Sequence, residues 1–361
     1  MPYATQSIVI VAFERQPSKN LIGQILPLLG LRDGLNQKCR IYEAGLLTVQ
    51  TDRVVSAEVI AEIEEMEGVN RVAFLPDGKR LYSKERPDHV STVRVTDTVK
   101  VGADRLTLMA GPCAVESEAQ ACEIAEIVKQ AGATILRGGA FKPRTSPYEF
   151  GGLGEEGLKY LARAREKTGL PVVTEVLDSS QIDVVAGYAD MLQIGSRNMH
   201  NSALLFKVGC HSAGKPVLLK RSFYATPDEV LWAAEYVLLG RLCAGYTEPG
   251  LVLCERGIRT FDGSMRFTLD VGAIPVLRGM THCPIIADPS HPAGNRQFVQ
   301  SLALASVAAG ADGLLVEVQQ NPIQAWCDGE QCLPYDDFFT LARKARETWR
   351  IIRDPSQANR G

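Results

Sequence analysis

The segment "LRGGAFKPRT" (136–145) concentrates positive charge directly after an apolar run. Arg137, Lys142 and Arg144 lie within eight positions, among two glycines and a proline. Five more cations follow other apolar runs: Arg197, Lys220, Arg221, Arg256 and Arg259. Eight cations at one site would repel one another unless anions were bound there. Because guanidinium and ammonium groups bind phosphate and carboxylate well, the set predicts one or two ligands with several negative charges.

An alternative explanation applies to any one of these cations taken alone. Each can pair with a nearby carboxylate, such as Glu175, Glu255 or Asp288, or it can extend into solvent. Surface pairing of this kind is common and contributes little. The clustering of the whole set favours ligand binding.

A second group of residues has the chemistry of metal ligands. Its members lie in or after apolar runs: Cys113, His291, Glu317 and Asp328. A thiolate, an imidazole and two carboxylates suit a borderline divalent cation such as manganese, iron, cobalt or zinc. Spacing supports this weakly, because the four residues span more than two hundred positions. Taken alone, Cys113 is better explained as an inert core thiol, whereas His291 lies in the turn-rich stretch "DPSHPAG".

The remaining cysteines and histidines carry a weaker signal. Cys327 and Cys332 flank Asp328 and are alternative soft ligands, although we expect both to be bystanders. The other histidines are expected on the surface or in loops: His89, His200, His211 and His282.

Composition limits the class of protein. The chain has 361 residues, of which 45% are hydrophobic and 22% charged, as in a soluble globular protein. A net charge of −3 argues against nucleic acid or an anionic membrane as a partner. Neither a transmembrane run nor a signal peptide is evident. Nine cysteines without a CxxC pair predict reduced thiols and a cytoplasmic location.

An apolar run followed by a polar or glycine-rich cluster and a helical stretch occurs eight times between residues 93 and 352. The apolar runs begin at residues 106, 133, 171, 190, 216, 251, 284 and 313. Such strands predict a parallel sheet buried on both faces, and eight units predict a closed (β/α)8 barrel. Barrel enzymes place their active sites at the carboxyl ends of the strands, where these cations and metal-type residues fall.

A small module and a linker precede the predicted barrel, and a short tail follows it. Residues 1–75 have a β-α-β-α-β order, close to a ferredoxin-like module, in which residues 38–51 form one bulged strand or two strands meeting near Gly45. We predict that residues 76–92 form a linker and that residues 353–361 form a tail. The barrel opens with a hairpin-like segment, 93–105, whose turn we place at Gly102.

Six motifs together resemble one enzyme family. They are "AGPCAVES", "LRGGAFKPRTSPYEFGGLG", "QIGSRNMHN", "PVLLKR", "CERGIRTF" and "ADPSHPAGNR". In this order they are similar to the short class of 3-deoxy-D-arabino-heptulosonate 7-phosphate (DAHP) synthases. That class is shared with 3-deoxy-D-manno-octulosonate 8-phosphate synthase, and the resemblance covers about residues 93–350. The family reaction condenses phosphoenolpyruvate with erythrose 4-phosphate, at the entry to the shikimate pathway of aromatic amino acid biosynthesis.

The resemblance implies a role for each candidate residue. Phosphoenolpyruvate would be held by five cations: Arg137, Lys142, Arg197, Lys220 and Arg256. Erythrose 4-phosphate would be bound by Lys142, Pro143, Arg144, Thr145 and Asp328. The metal ligands would be Cys113, His291, Glu317 and Asp328. Catalysis would involve Lys142 as the acid, Glu175 orienting a water molecule, and the ligands Cys113 and His291.

Some positions depart from the family pattern. Gln319, in "VEVQQNP", stands where a histidine is usual, which leaves metal preference and rate open. Ser222 stands where glycine is common, and Trp326 and Cys327 stand where small residues are usual. The octulosonate synthase usually reads "KANR" where this chain reads "KPRT", so erythrose 4-phosphate is favoured over arabinose 5-phosphate. A non-catalytic regulatory relative is a further alternative, but all four metal-type residues are present.

The amino-terminal module resembles a regulatory extension that some members carry. We expect it to pair between subunits, bind an aromatic amino acid and close over the barrel mouth. A module that serves only dimerisation or stability is the alternative. A homodimer or homotetramer is expected in either case.

Overall fold

The centre of the molecule is a closed barrel of eight parallel strands. The computed structural model describes residues 6–31, 34–36, 38–52, 55–86, 89–102 and 104–353. The barrel strands are β7 (Thr107–Gly111), β8 (Ile135–Arg137), β9 (Val172–Val176), β10 (Met191–Ile194), β11 (Val217–Lys220), β12 (Leu251–Glu255), β13 (Ile285–Ala287) and β14 (Gly313–Glu317). Strand β14 pairs with β7 and closes the ring. Because helices cover the outer face, the strands are apolar on both sides.

The carboxyl-terminal residues of four strands are charged. Arg137, Lys220, Glu255 and Glu317 each end a strand, and all four are buried. A charged side chain at this depth is tolerated only with a partner or a ligand. The strand ends therefore determine where the polar chemistry of the barrel lies.

Helices surround the barrel and connect its strands. They are α3 (Glu118–Gln130), α4 (Glu155–Thr168), α5 (Ile182–Tyr188), α6 (Ser202–Cys210), α7 (Pro227–Cys243), α8 (Ala273–Met280), α9 (Ser290–Ala293), α10 (Arg296–Ala308) and α11 (Tyr335–Arg353). Helix α7 begins with a capping box, in which the side chains and amides of Thr226 and Glu229 bond reciprocally. Within the described ranges, no helix combines the length and apolar character needed to cross a membrane.

The opposite end of the barrel is closed by a short hairpin. Strands β5 (Val93–Arg94) and β6 (Lys100–Val101) pair antiparallel, and Val93 and Val101 pack against side chains inside the barrel. The turn of this hairpin lies at residues 95–99, so the predicted turn at Gly102 is wrong. Gly102 instead follows β6 with φ of 81°, and a Cβ there would lie 2.7 Å from Pro284.

The amino-terminal residues form a separate four-stranded antiparallel sheet with two helices. Its elements are β1 (Ser7–Phe13), α1 (Lys19–Leu28), β2 (Cys39–Tyr42), β3 (Leu46–Thr51), α2 (Ala57–Glu64) and β4 (Val69–Leu75). The strand order is β2-β3-β1-β4. Gly45, with φ of 82°, makes the turn that separates β2 from β3, so residues 38–51 contain two strands. The fold class predicted from the sequence, a (β/α)8 barrel with a ferredoxin-like module, is confirmed.

The module and the segment after it dock on helices α6 and α7. Ile10, Ala12 and Leu46 of the module form one apolar cluster with Leu239 and Cys243 of α7. The Nη1 of Arg40 also donates to the hydroxyl of Tyr236 at 3.0 Å. This face of the module is therefore buried against the barrel.

One buried carboxylate holds the connecting segment to the barrel. Glu235 of α7 accepts hydrogen bonds from the backbone amides of Leu81 (3.1 Å) and Tyr82 (3.3 Å). From the other side, Thr281 and His282 donate to the carbonyl of Tyr82. His282 was expected on the surface or in a loop; it lies in a loop but is buried, because its ring packs beneath this segment.

Helices α5, α6 and α8, which follow β9, β10 and β12, occupy three of the predicted helical stretches. Two of them are short, and the third, α6, is apolar with little polar contrast between its faces. The predicted tail, 353–361, lies outside the described residues except for Arg353.

Glu235 generates a prediction about pH. Burial raises the pKa of its carboxyl to about 7, although the amides of Leu81 and Tyr82 and the charge of Arg80 oppose the shift. The folded protein therefore holds this proton more tightly than the unfolded chain does. The stabilisation from this group is complete below the unfolded pKa of about 4.3 and is lost as pH rises to about 7.

We expect Glu235→Gln to reduce the fall in unfolding temperature across that pH interval. Thermal unfolding followed by circular dichroism at several pH values measures it. The exposed Glu62→Gln serves as the control and should keep the wild-type slope. Parallel slopes for wild type and Glu235→Gln would contradict the prediction.

Candidate active site

A cavity of about 480 Å³ opens at the carboxyl ends of the barrel strands. Among the described residues that line it, seven are basic: Arg137, Lys142, Arg144, Arg197, Lys220, Arg256 and Arg266. Glu149, Glu175 and Asp328 are the acidic residues of the lining. A cavity with this excess of positive charge is suited to anionic ligands.

Two of the buried cations are balanced by carboxylates. The Nη1 of Arg137 donates to Glu317 Oε1 at 2.9 Å and to the carbonyl of Pro112 at 2.8 Å. The Nζ of Lys220 donates to Asp288 Oδ2. These pairs keep each cation at its strand end before a ligand arrives.

Arg256 has no such partner. Its side chain is 5% exposed, and its Nε and Nη1 atoms make no hydrogen bond within the described part of the chain. The guanidinium lies 4.4 Å from the centre of the Phe267 ring, and burial lowers its pKa. A buried guanidinium with unused donors is costly unless an anion satisfies them. Arg256 is therefore the strongest single indication of a bound anion.

Two of the eight predicted cations do not reach the cavity. Arg221 is buried and donates to Glu255 at 2.7 Å and Asp270 at 2.9 Å. Arg259 is exposed and lies over the ring of Phe223 at 4.7 Å. The expectation that all eight meet at one mouth is wrong, because side chains of adjacent residues at the end of a strand point in different directions.

The segment after β8 brings the "KPRT" residues to one side of the cavity. Lys142 Nζ lies 3.1 Å from both the carbonyl oxygen and the Sγ of Cys113. Arg144 Nη2 lies 2.7 Å from the Sγ of Cys327, and its Nε donates to the carbonyl of Phe150. Thr145 Oγ1 accepts from Arg197 Nη2 at 3.4 Å. Pro143 lines the cavity between these residues.

The metal-type residues form two adjoining groups that share Asp328. Ligand atoms of His291, Glu317 and Asp328 lie within 4.8 Å of one another, and so do those of Cys113, Cys327 and Asp328. Among the described residues that are not glycine, Asp328 alone has a positive φ, of 50°. Aspartate tolerates this backbone region better than most residues. Sulfur, imidazole and carboxylate donors of this kind fit a divalent transition-metal ion.

The carboxylate of Asp288 lies beside the ring of His291. The Nδ1 of His291 lies 2.6 Å from Asp288 Oδ2, and its Nε2 lies 3.6 Å from Glu317 Oε1. A carboxylate on one ring nitrogen, with the other nitrogen facing the candidate ligands, is the usual arrangement around a metal-binding histidine.

Two residues that the sequence analysis missed hold the carboxylates of this site. Gln331, which is 2% exposed, donates from Nε2 to Glu317 Oε2 at 2.6 Å. Its Oε1 accepts from Arg266 Nη1 at 3.1 Å, and the same nitrogen lies 3.3 Å from Asp328 Oδ1. Arg266 comes from the segment between β12 and α8, where no strand end marks it in the sequence.

Cys327, for which the sequence favoured a bystander over an alternative soft ligand, lies within the metal-type cluster. Its Sγ lies 3.2 Å from Cys113 Sγ and 3.3 Å from Asp328 Oδ2. Gln319, in contrast, makes its side-chain contacts with Glu116 and Gln120, at 3.4 and 3.5 Å. The glutamine that departs from the family pattern thus contacts polar side chains beside the metal-type residues.

Glu175 lines the far side of the cavity. It accepts from Gln193 Nε2 at 3.0 Å, and burial raises its pKa. Gly195 leaves room for it, since a Cβ there would lie 1.9 Å from Glu175 Oε1. Glu175 is therefore a buried acid among the cations that line this cavity.

Fold and site together define a class: a (β/α)8 protein with a cation-lined cavity and candidate ligands for a divalent metal ion at the carboxyl ends of its strands. A model of the DAHP synthetase I family matches residues 86–353. The chain belongs to this family, as its motifs predicted. Membership implies a divalent metal ion and small phosphorylated substrates.

Individual relatives agree with this assignment. A phospho-2-dehydro-3-deoxyheptonate aldolase of Thermotoga maritima is 41% identical over 327 residues, which cover 90% of this chain and 93% of the relative. The crystal structure of a T. maritima DAHP synthase superposes with a TM-score of 0.70 at 37% identity, covering 95% of this chain and 96% of the other. A truncated form of that species' synthase gives 0.65 at 42% identity, over 74% and 95%.

A relative that is named as a different enzyme is less similar in sequence. The 2-dehydro-3-deoxyphosphooctonate aldolase of Syntrophobacter fumaroxidans is 32% identical over 272 residues, which cover 70% of this chain and 91% of that protein.

Gln331 generates a prediction about metal affinity. Gln331→Met keeps a similar volume but removes both hydrogen bonds, which leaves the Glu317 and Asp328 carboxylates less fixed. We expect metal affinity, measured by competition with a chromophoric chelator, to fall about 10- to 100-fold. Glu330→Gln, an exposed neighbour in the same turn, is the control and should bind as wild type does. Equal affinities for Gln331→Met and wild type would show that the glutamine does not orient Glu317.

Proposed function

We propose that this protein condenses phosphoenolpyruvate, erythrose 4-phosphate and water to DAHP and inorganic phosphate, as the first step of the shikimate pathway. C3 of phosphoenolpyruvate forms a bond to the aldehyde carbon, and the aldehyde oxygen gains a proton. Water adds at C2, and phosphate leaves by cleavage of the bond between C2 and the bridging oxygen. The observation that carries this proposal is the buried cation cavity beside the metal-type cluster.

The phosphoenolpyruvate site is assigned to five cations that line the cavity, of which Arg137, Lys220 and Arg256 are buried: Arg137, Lys142, Arg197, Lys220 and Arg256. Their function is to align two anions that would otherwise repel each other, which lowers the entropic and electrostatic barrier to reaction. The unused donors of Arg256 and the strand-end position of Lys220 support this assignment. Arg266, which lines the same cavity, adds positive charge at the rim.

The erythrose 4-phosphate site is assigned to the outer segment: Lys142, Pro143, Arg144, Thr145 and Asp328. Arg144 is the candidate for its phosphate. Lys142 is the candidate proton donor to the developing alkoxide, because its Nζ lies between the cation cavity and Cys113. Glu175 is the candidate that orients water toward C2.

The metal would be held by Cys113, His291, Glu317 and Asp328, and the mixed donor set favours manganese, iron, cobalt or zinc. A bound divalent ion would supply Lewis-acid polarisation of the aldehyde oxygen. Removing it with EDTA should abolish activity, and adding back each of these ions in turn identifies the one that restores it best.

Arabinose 5-phosphate is the alternative aldehyde, as in the octulosonate synthases. The "KPRT" segment and the amino-terminal module favour erythrose 4-phosphate. With purified protein, phosphoenolpyruvate consumption followed at its enolate absorbance should require erythrose 4-phosphate. Consumption with arabinose 5-phosphate alone would reverse the choice of substrate, and consumption with neither sugar would remove the synthase activity.

Arg256 and Arg259 offer a matched pair of variants. Arg256→Ala removes the buried guanidinium, and we expect kcat/KM for phosphoenolpyruvate to fall about 10²- to 10³-fold, as for other lost charge-stabilising donors. Arg259→Ala removes an exposed guanidinium three residues away and outside the cavity, so its steady-state kinetics should match wild type. Similar losses for both would mean that the general charge of the mouth, rather than Arg256, binds the substrate.

The amino-terminal module is proposed to regulate the barrel by binding an aromatic amino acid, within a homodimer or homotetramer. Its own apolar core and its docking on α7 support a separate unit that can shift against the barrel. Full-length protein should lose activity with tyrosine or phenylalanine, and a variant lacking residues 1–90 should not. Light scattering gives the oligomer number. Full-length protein that ignores every aromatic amino acid would exclude this role.

A further inference from the structure

Cys327 occupies a position in the metal-type cluster that none of the assigned ligands explains. It is 5% exposed, and its apolar neighbours are Cys113, Ala114 and Cys332. Its thiol contacts ligand atoms of two candidate metal ligands, Cys113 and Asp328. Packing alone does not require the sulfur of Cys327 to contact both Cys113 Sγ and Asp328 Oδ2.

The distances permit all three atoms to bind one ion. Two thiolates at about 2.3 Å from the same ion lie no more than about 4.6 Å apart. The Sγ atoms of Cys113 and Cys327 are 3.2 Å apart, and Asp328 Oδ2 lies 3.4 and 3.3 Å from them. Donors that already lie this close need little movement to share a cation.

Two positive side chains accompany the sulfur pair. Lys142 Nζ lies 3.1 Å from Cys113 Sγ, and Arg144 Nη2 lies 2.7 Å from Cys327 Sγ. Two cations beside the sulfurs of Cys113 and Cys327 and the carboxylate of Asp328 indicate that electron-rich donor atoms are concentrated here. A divalent ion bound there would compete with Arg144 for the sulfur.

We propose that Cys327 is an additional metal ligand, so that this protein binds its divalent ion through two thiolates together with His291, Glu317 or Asp328. The inference rests on the metal site of the proposed function and goes beyond its four assigned ligands. Because thiolates favour zinc, iron and cobalt over manganese, the second sulfur shifts the metal preference toward softer ions.

The proposal also links metal binding to the sugar phosphate site. Arg144 is the candidate for the phosphate of erythrose 4-phosphate, and its Nη2 contacts Cys327 in this structure. If Cys327 held the ion, its sulfur would no longer engage Arg144, whose guanidinium would then be available to the phosphate. The metal would then prepare the aldehyde site as well as polarise the aldehyde.

Cobalt substitution tests the number of thiolate ligands without any substrate. Reduced metal-free wild type and Cys327→Ser are loaded with Co²⁺, and the near-ultraviolet sulfur-to-cobalt absorbance is measured per bound ion. We expect Cys327→Ser to show about half the wild-type intensity, because one of two Co–S bonds is lost. Cys122→Ser, which removes a partly exposed thiol of α3 outside the cluster, should keep the full intensity.

Metal preference gives a second measurement. By chelator competition, the ratio of zinc affinity to manganese affinity should fall at least about tenfold in Cys327→Ser and remain unchanged in Cys122→Ser. A folded Cys327→Ser protein, with wild-type thermal unfolding, that keeps both the full cobalt intensity and the wild-type ratio would overturn the proposal. Wild type that binds no cobalt, zinc or manganese would instead remove the metal site from the proposed function, and with it this inference.

Discussion

The active site depends on the burial of charge at the ends of the barrel strands. Arg137, Lys220 and Glu317 end three strands, and each lies where solvent is nearly excluded. At that depth a charge must be paired or coordinated. Carboxylates hold Arg137 and Lys220, whereas Nε and Nη1 of Arg256 have no hydrogen-bond partner among the residues that the structure describes. This incomplete balance explains why the cavity favours ligands with several negative charges.

A second network joins the cation cavity to the metal-type cluster. Glu317 accepts from Arg137 at one oxygen and from Gln331 at the other, so one carboxylate belongs to both. Asp288 has a similar double function, since it contacts Lys220 and His291. The residues assigned to phosphoenolpyruvate and those assigned to the metal are therefore joined by direct contacts. A ligand that draws Arg137 or Lys220 away would also alter the metal ligands.

The amino-terminal module is attached at a distance from this chemistry, on the outer side of α6 and α7. Its contacts combine an apolar cluster with a buried carboxylate that holds the backbone of the connecting segment. Helix α7, on which the module docks, follows β11 in the chain, and β11 ends at Lys220. One helix therefore connects the module to a strand end that lines the cavity. That connection gives the proposed regulation a physical path.

The sequence alone determined the barrel, the ferredoxin-like module and the family, because eight buried strands with intervening helices have few other arrangements and the motifs are long and ordered. It also determined that Arg137, Lys142, His291 and Asp328 would come together, since strand ends share one rim. Tertiary structure alone decided which cations face the cavity: Arg221 and Arg259 turn away toward Glu255 and Phe223. It also decided the contacts of Arg266, Gln331 and Cys327, which form only after distant segments fold together. Such contacts depend on side-chain direction and on segments outside the regular repeat, and neither leaves a periodic signal in the sequence.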